Sequence, residues 1–164
     1  IWRYLYEIMV KFLKNTHYHT GYNSRMDTIQ ASILSLKLRF LDNWNNRRRE
    51  IADHYVEMLR DSRVILPFEA QNCKHVFHLF VVRIPDRHKL QNFLLDENIQ
   101  TSIHYPTPIH FQQAYLNLDY NSGMFPISEE ASREVLSLPM FPELNASEIT
   151  RVGNAILNFE RKKV

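Results

Sequence analysis

Residues 26–60 contain neither glycine nor proline, and nothing else in the chain constrains its fold as much. Apolar side chains recur through this run at Ile29, Ile33, Leu36, Leu38, Leu41, Trp44, Ile51, Tyr55 and Leu59, close to helical spacing. Asn23 or Ser24 can cap such a helix. Asp27 falls in its first turn, where a carboxylate suits the positive end of the helix dipole. A single helix over the whole span is roughly 50 Å long. That exceeds the width of a small domain, so the helix needs a second body to cover it, either a larger domain or a partner subunit.

The rest of the chain reads as short alternating elements. Residues 1–13 have Trp2, Leu5, Ile8, Met9 and Phe12 at helical spacing, and residues 17–22 form an irregular or extended link. Residues 63–66 suggest a short strand before Pro67. HVFHLFVVRI, residues 75–84, is the clearest strand, with both alternating sets mostly apolar, which predicts a central position with both faces covered. Asp86 caps a helix running to about Glu97, with Leu90, Phe93 and Leu94 inward. Residues 99–103 form another short strand, and Pro106 and Pro108 then hold the chain extended. Ser128 opens a helix with Glu129 and Glu130 in its first turn, and Pro139 and Pro142 bracket an extended stretch. Ser147 caps the last helix, through about Phe159. The pattern is that of one compact α/β unit with a long helix attached.

Composition excludes several classes of function. Twenty basic and 18 acidic residues give a formal net charge of +2, too near balance for a nucleic-acid or membrane surface. No apolar run approaches the roughly 20 residues of a membrane helix. The single cysteine, Cys73, allows no internal disulfide and fits a reducing cytoplasm. With three glycines in all, a glycine-rich nucleotide loop is not available.

Two segments carry more than local structure. One is GYNSRMDTIQASILSLKLRFLDNWN, residues 21–45. The other begins IHYPTPIHFQQAY and ends FPISEEASREVLSLPMFPEL, within residues 103–144. In this order they resemble the C-terminal part of the DegT/DnrJ/StrS sugar aminotransferases, which use pyridoxal phosphate. The resemblance covers about residues 21–157. Two motifs in the right order are far more specific than one short pattern.

The resemblance implies the small α+β C-terminal domain of a fold-type I aminotransferase-like enzyme, entered by a long N-terminal connecting helix. Residues 1–22 are then a divergent N-terminal segment, 23–60 the connecting helix and 61–164 the small domain, with the large cofactor domain absent. Members of this family transfer an amino group, usually from glutamate, to a keto sugar carried on a nucleotide. They work as dimers with sites built at the subunit interface. The cofactor needs a lysine to hold it and an acidic residue at its ring nitrogen. In the family that lysine lies upstream of the Gly-Tyr-Asn-x-Arg segment. None of Lys11, Lys14, Lys37, Lys74, Lys89, Lys162 and Lys163 lies in a comparable loop. The expectation is a chain with no catalytic residue of its own, pairing as a homodimer or with a lysine-bearing aminotransferase subunit.

By the same resemblance, Asn23 reaches the cofactor phosphate of the neighbouring subunit, and Arg25 lies at the substrate mouth. His104, Tyr105 and His110 match the His-Tyr-Pro…His segment near the sugar nucleotide. Read from the residues alone, Asn23 is a helix cap and Arg25 a solvated arginine beside Asp27. His104 to His110 is then a rigid connector with a packed tyrosine. Two further roles stay open for the whole chain: a non-catalytic, regulatory partner of a full-length homologue, or a degenerate gene fragment.

Other features are set aside. His75 and His78 would fall on opposite faces of a strand and so cannot chelate together, and no His-Glu-x-x-His or Cys-x-x-Cys pattern supports a metal. His78 is expected to be buried with its hydrogen bonds satisfied. Arg47, Arg48 and Arg49 fan around a helix instead of forming a stripe. Cys73 has no evident activating partner beyond Lys74 and His75.

Overall fold

The computed structural model describes residues 26–162. They divide between two compact units: residues 26–38 with Tyr105–Arg133, and Arg39–His104 with residues 134–162. The elements run α1 (Thr28–Leu38), α2 (Leu41–Leu59), β1 (Phe80–Arg83), α3 (Arg87–Asp96), α4 (Pro126–Glu134), β2 (Val135–Leu138) and α5 (Ala146–Arg161). Short 3-10 turns occupy Ile109–Phe111 and Gln113–Leu118.

The expected long helix is two helices. Arg39 and Phe40 interrupt it, although neither is a helix breaker, and α1 and α2 belong to different units. Phe40 keeps near-helical dihedrals (φ −104°, ψ −5°) and stacks on Trp44 at 5.8 Å between ring centroids. At the start of α1 Asp27 Oδ1 accepts the Gln30 N–H at 2.9 Å; Asn23 and Ser24, read as caps from sequence, lie outside the described residues.

The second unit holds the hydrophobic core. Ile51, Ala52, Tyr55 and Leu59 of α2 are fully buried and pack on α5, which contributes Ile149, Val152, Ala155, Ile156 and Phe159. Leu90 and Leu94 of α3 close the other side of α5. β1 and β2 pair antiparallel, with Phe80 opposite Leu138 and Arg83 opposite Val135. Ile65 bridges the free edge of β1 at Arg83, and Ser102 bridges β2 at Ser137, so the two short strands expected around residues 63–66 and 99–103 are single bridges. Arg83 and Glu134 pair at 2.8 Å beside the sheet. The Tyr55 hydroxyl donates to the Pro139 carbonyl at 3.0 Å. Burial pushes its pKa up, and the Glu148 carboxylate adds to this.

The strand read at 75–84 is only Phe80–Arg83, and it alternates buried with half-buried residues instead of being covered on both faces. The reason lies upstream. Phe77 has φ +45° in the left-handed region, which a strand cannot include. Its ring is nonetheless buried and lies 6.0 Å from that of Phe80, so packing offsets the backbone strain. The main chain here bonds to side chains: the His75 N–H donates to Glu69 Oε1 at 2.6 Å and the Phe77 N–H to His75 Nδ1 at 2.9 Å. His75 and His78 therefore lie outside any strand, and His78 is exposed, not buried.

Two further starts differ from expectation. Helix α4 begins at Pro126, not Ser128, using proline where its missing N–H costs nothing. Helix α5 is capped by Asn145, not Ser147, in a reciprocal capping box: Glu148 N–H donates to Asn145 Oδ1 at 3.0 Å, and Asn145 N–H to Glu148 Oε2 at 2.9 Å. Ser147 contributes by donating to the same Asn145 oxygen. No helix among the described residues is long and apolar enough to cross a membrane.

Candidate functional site

Three of the five residues singled out by sequence are described: His104, Tyr105 and His110. Asn23 and Arg25 lie outside the described residues.

His104 is held by the sheet. Its Nδ1 lies 2.9 Å from the Ser137 hydroxyl on β2. Ser137 is buried, and its main chain exchanges two hydrogen bonds with Ser102, two residues before His104, at 2.7 and 3.2 Å. The same strand residue thus fixes both the entry backbone and one ring nitrogen of His104. Tyr105 follows at once and is 65% exposed. Pro108 is extended (φ −59°, ψ 152°), and its carbonyl then accepts the Phe111 N–H at 3.1 Å to start the 3-10 turn.

His110 sits at the centre of that turn and is buried. Its Nε2 lies 3.3 Å from Glu129 Oε1 on α4. The rings of Phe111, Phe125 and Tyr120 surround the imidazole at 4.1, 4.8 and 6.5 Å between centroids. Glu129 also receives the Gly123 N–H at 2.9 and 3.0 Å, the Phe125 N–H at 3.3 Å and the Ser122 hydroxyl at 3.4 Å. Gly123 has φ +90°, a conformation the tight turn needs and a side chain would strain. Burial raises the pKa of the Glu129 carboxyl, but the Gly123 and Phe125 amides and then His110 outweigh it, leaving the group below the usual carboxylate range.

The structure thus gives His104 and His110 separate partners, Ser137 and Glu129, neither of which was picked out from sequence. Ser137 had a signal: it is a lone hydroxyl between Leu136 and Leu138, and a buried polar group needs a partner. Glu129 had none. Glu130 beside it has the same local credentials for the first helical turn, yet Glu130 is exposed and Glu129 buried.

Among the described residues no group of three or more His, Cys, Asp or Glu could hold a metal ion. Lys37, Lys74, Lys89 and Lys162 are all exposed; Lys89 pairs with Asp86 at 3.0 Å, and Lys162 lies over the Phe93 ring at 4.9 Å. A Schiff-base lysine needs a desolvated position beside its cofactor.

The chain shares its fold with part of solved aminotransferases. The crystal structure of DesV from S. venezuelae, in complex with a ketimine intermediate, superposes with a TM-score of 0.81 and 36% identity, over 92% of this chain and 41% of that one. This is the fold of pyridoxal-phosphate sugar aminotransferases. The chain belongs to the DegT/DnrJ/EryC1/StrS aminotransferase family, whose model matches residues 7–157. The match begins well ahead of Gly21, so most of the segment read as divergent lies inside it.

A dTDP-3-amino-3,6-dideoxy-alpha-D-galactopyranose transaminase from Aneurinibacillus thermoaerophilus is 48% identical over 136 residues, 83% of this chain and 37% of the relative. A pleiotropic regulatory protein from Geobacillus stearothermophilus is 42% identical over 151 residues, 90% of this chain and 41% of the relative. The chain therefore spans about two-fifths of the length of the curated relatives it matches.

Proposed function

We propose that this chain is the C-terminal portion of a sugar-nucleotide aminotransferase. The intact enzyme moves an amino group, from glutamate, onto a keto sugar carried on a nucleotide, with pyridoxal phosphate as the group that carries the amine. The observation that supports this best is the state of the first unit. Its described part buries no apolar side chain, while Ile29, Ile33, Leu34, Leu36, Tyr105, Ile109 and Ile127 are each at least half exposed. A unit of that kind is complete only when another body covers it. A cofactor domain and a second subunit are the bodies this reading supplies.

On this reading Asn23 meets the cofactor phosphate across the subunit interface, Arg25 the substrate's anionic end, and the His104–His110 segment lies along the nucleotide-linked sugar. The chain by itself holds no cofactor covalently and does not turn over. Incubating the purified chain with pyridoxal phosphate and borohydride tests this: no reduced adduct is expected on any lysine. A stoichiometric adduct on one specific lysine sinks the reading.

The relationship to a regulatory protein favours one alternative, a non-catalytic partner that lends Asn23 and Arg25 to a lysine-bearing homologue. Co-purification with such a homologue, with no gain in its turnover, would select it over the first reading.

A further inference from the structure

In the described part of the first unit every buried side chain is polar: His110, Gln112, Glu129 and Ser132. Two of them are ionisable and touch each other, His110 Nε2 to Glu129 Oε1 at 3.3 Å. The carboxylate is served only by donors on its other approaches: two backbone amides and one hydroxyl. Its oxygens are therefore acceptors, and the imidazole nitrogen facing them has to carry a proton. The aromatic rings close the remaining sides of the imidazole. A histidine enclosed in this way has its Nε2 committed inward.

We propose that Glu129 is a positioning residue. It holds His110 with the Nε2 proton turned inward, so His110 braces its segment from behind and does not touch substrate. The same carboxylate ties the Ser122–Phe125 turn to α4, so one side chain joins the 3-10 turn, the glycine turn and the helix. This rests on the reading above only in taking the His104–His110 segment to lie at the substrate; the brace itself does not depend on it. It also revises that reading, since His110 was taken there as a contact residue.

The test uses the 164-residue chain with no cofactor, sugar or second subunit, so it can fail independently of the aminotransferase reading. Diethyl pyrocarbonate modification, mapped by mass spectrometry, is expected to reach exposed His54 and His78 at least roughly tenfold faster than His110, the protection a closed local structure gives. Nitrogen-15 spectra of the neutral imidazole are expected to show a protected proton on Nε2. Glu129→Ala is expected to abolish both signatures. Glu129→Gln, which keeps an acceptor oxygen, is expected to restore most of them, and Glu130→Gln to change neither. A residue that only held the glycine turn would leave the Nε2 signal unmoved by Glu129→Ala. A wild-type His110 that reacts as fast as His78, or carries its neutral proton on Nδ1, overturns the proposal whether or not the alanine variant folds.

Discussion

Helices α1 and α2 follow one another in a run without glycine or proline, yet their apolar side chains meet opposite fates. Ile29, Ile33 and Leu36 of α1 are 75%, 50% and 60% exposed, whereas Ile51, Tyr55 and Leu59 of α2 are fully buried. The contrast extends to the units they belong to. One closes around a hydrophobic core of α2, α3, α5 and the sheet. The other, in its described part, buries only polar side chains, with His110 and Ser132 bonded to Glu129. Helical periodicity marks out a face, but it does not supply the neighbour that buries it. The second unit is held by a shared apolar core, whereas the described part of the first is tied by a few directed bonds and leaves its apolar side chains exposed.

Three experiments would break or sharpen that comparison. The largest effect is expected from Tyr55→Ala, which empties the centre of the core and leaves the Pro139 carbonyl without its donor. It should cost about 3–5 kcal/mol, read from denaturant unfolding of the chain. A loss below ~1 kcal/mol would mean that the second unit is not the stable one.

The next effect is confined to the first unit and depends on pH. The Glu129 carboxyl lies below its ordinary value, so its contribution is complete above that value and is lost as pH falls through the folded one. The Gly123 and Phe125 amides should therefore stay protected at neutral pH and loosen only in acid, below the ordinary glutamate range, with Glu129→Gln removing this acid step. Loosening between pH 6 and 7 would show that something other than this carboxylate holds the turn. The smallest effect is expected in α1. Ile33→Ala should change the stability of the chain by less than about 0.5 kcal/mol, because the side chain already meets solvent. A cost comparable to that of Tyr55→Ala would erase the difference between the two helices.

Much of the second unit could be read from local pattern. The Val- and Phe-rich run ending before Pro85 does contain β1, Asp86 does precede α3 although its side chain makes no capping bond and pairs with Lys89 instead, and the last helix starts within two residues of its expected cap. These features depend on spacing and on the hydrogen-bonding habits of single residues. The features missed were set by partners far along the chain. Phe77 makes the strand start late by adopting a left-handed backbone, with its ring packed near Phe80. Val135–Leu138 leaves the helix and becomes a strand because β1 offers it an edge.

The candidate site divides along the same line. The amino-acid order alone was enough for the family, and residue type and spacing singled out His104, Tyr105 and His110 and the expectation that Pro106 and Pro108 stiffen their segment. Which ring nitrogen each histidine commits, and to what, came from the fold: Ser137 lies 33 positions beyond His104, and Glu129 lies 19 beyond His110. Glu129 and Glu130 are chemically identical neighbours in the chain. Only the packing of a helix against a turn makes one of them a buried acceptor and leaves the other in water, since burial is a property of surroundings that no single residue carries with it.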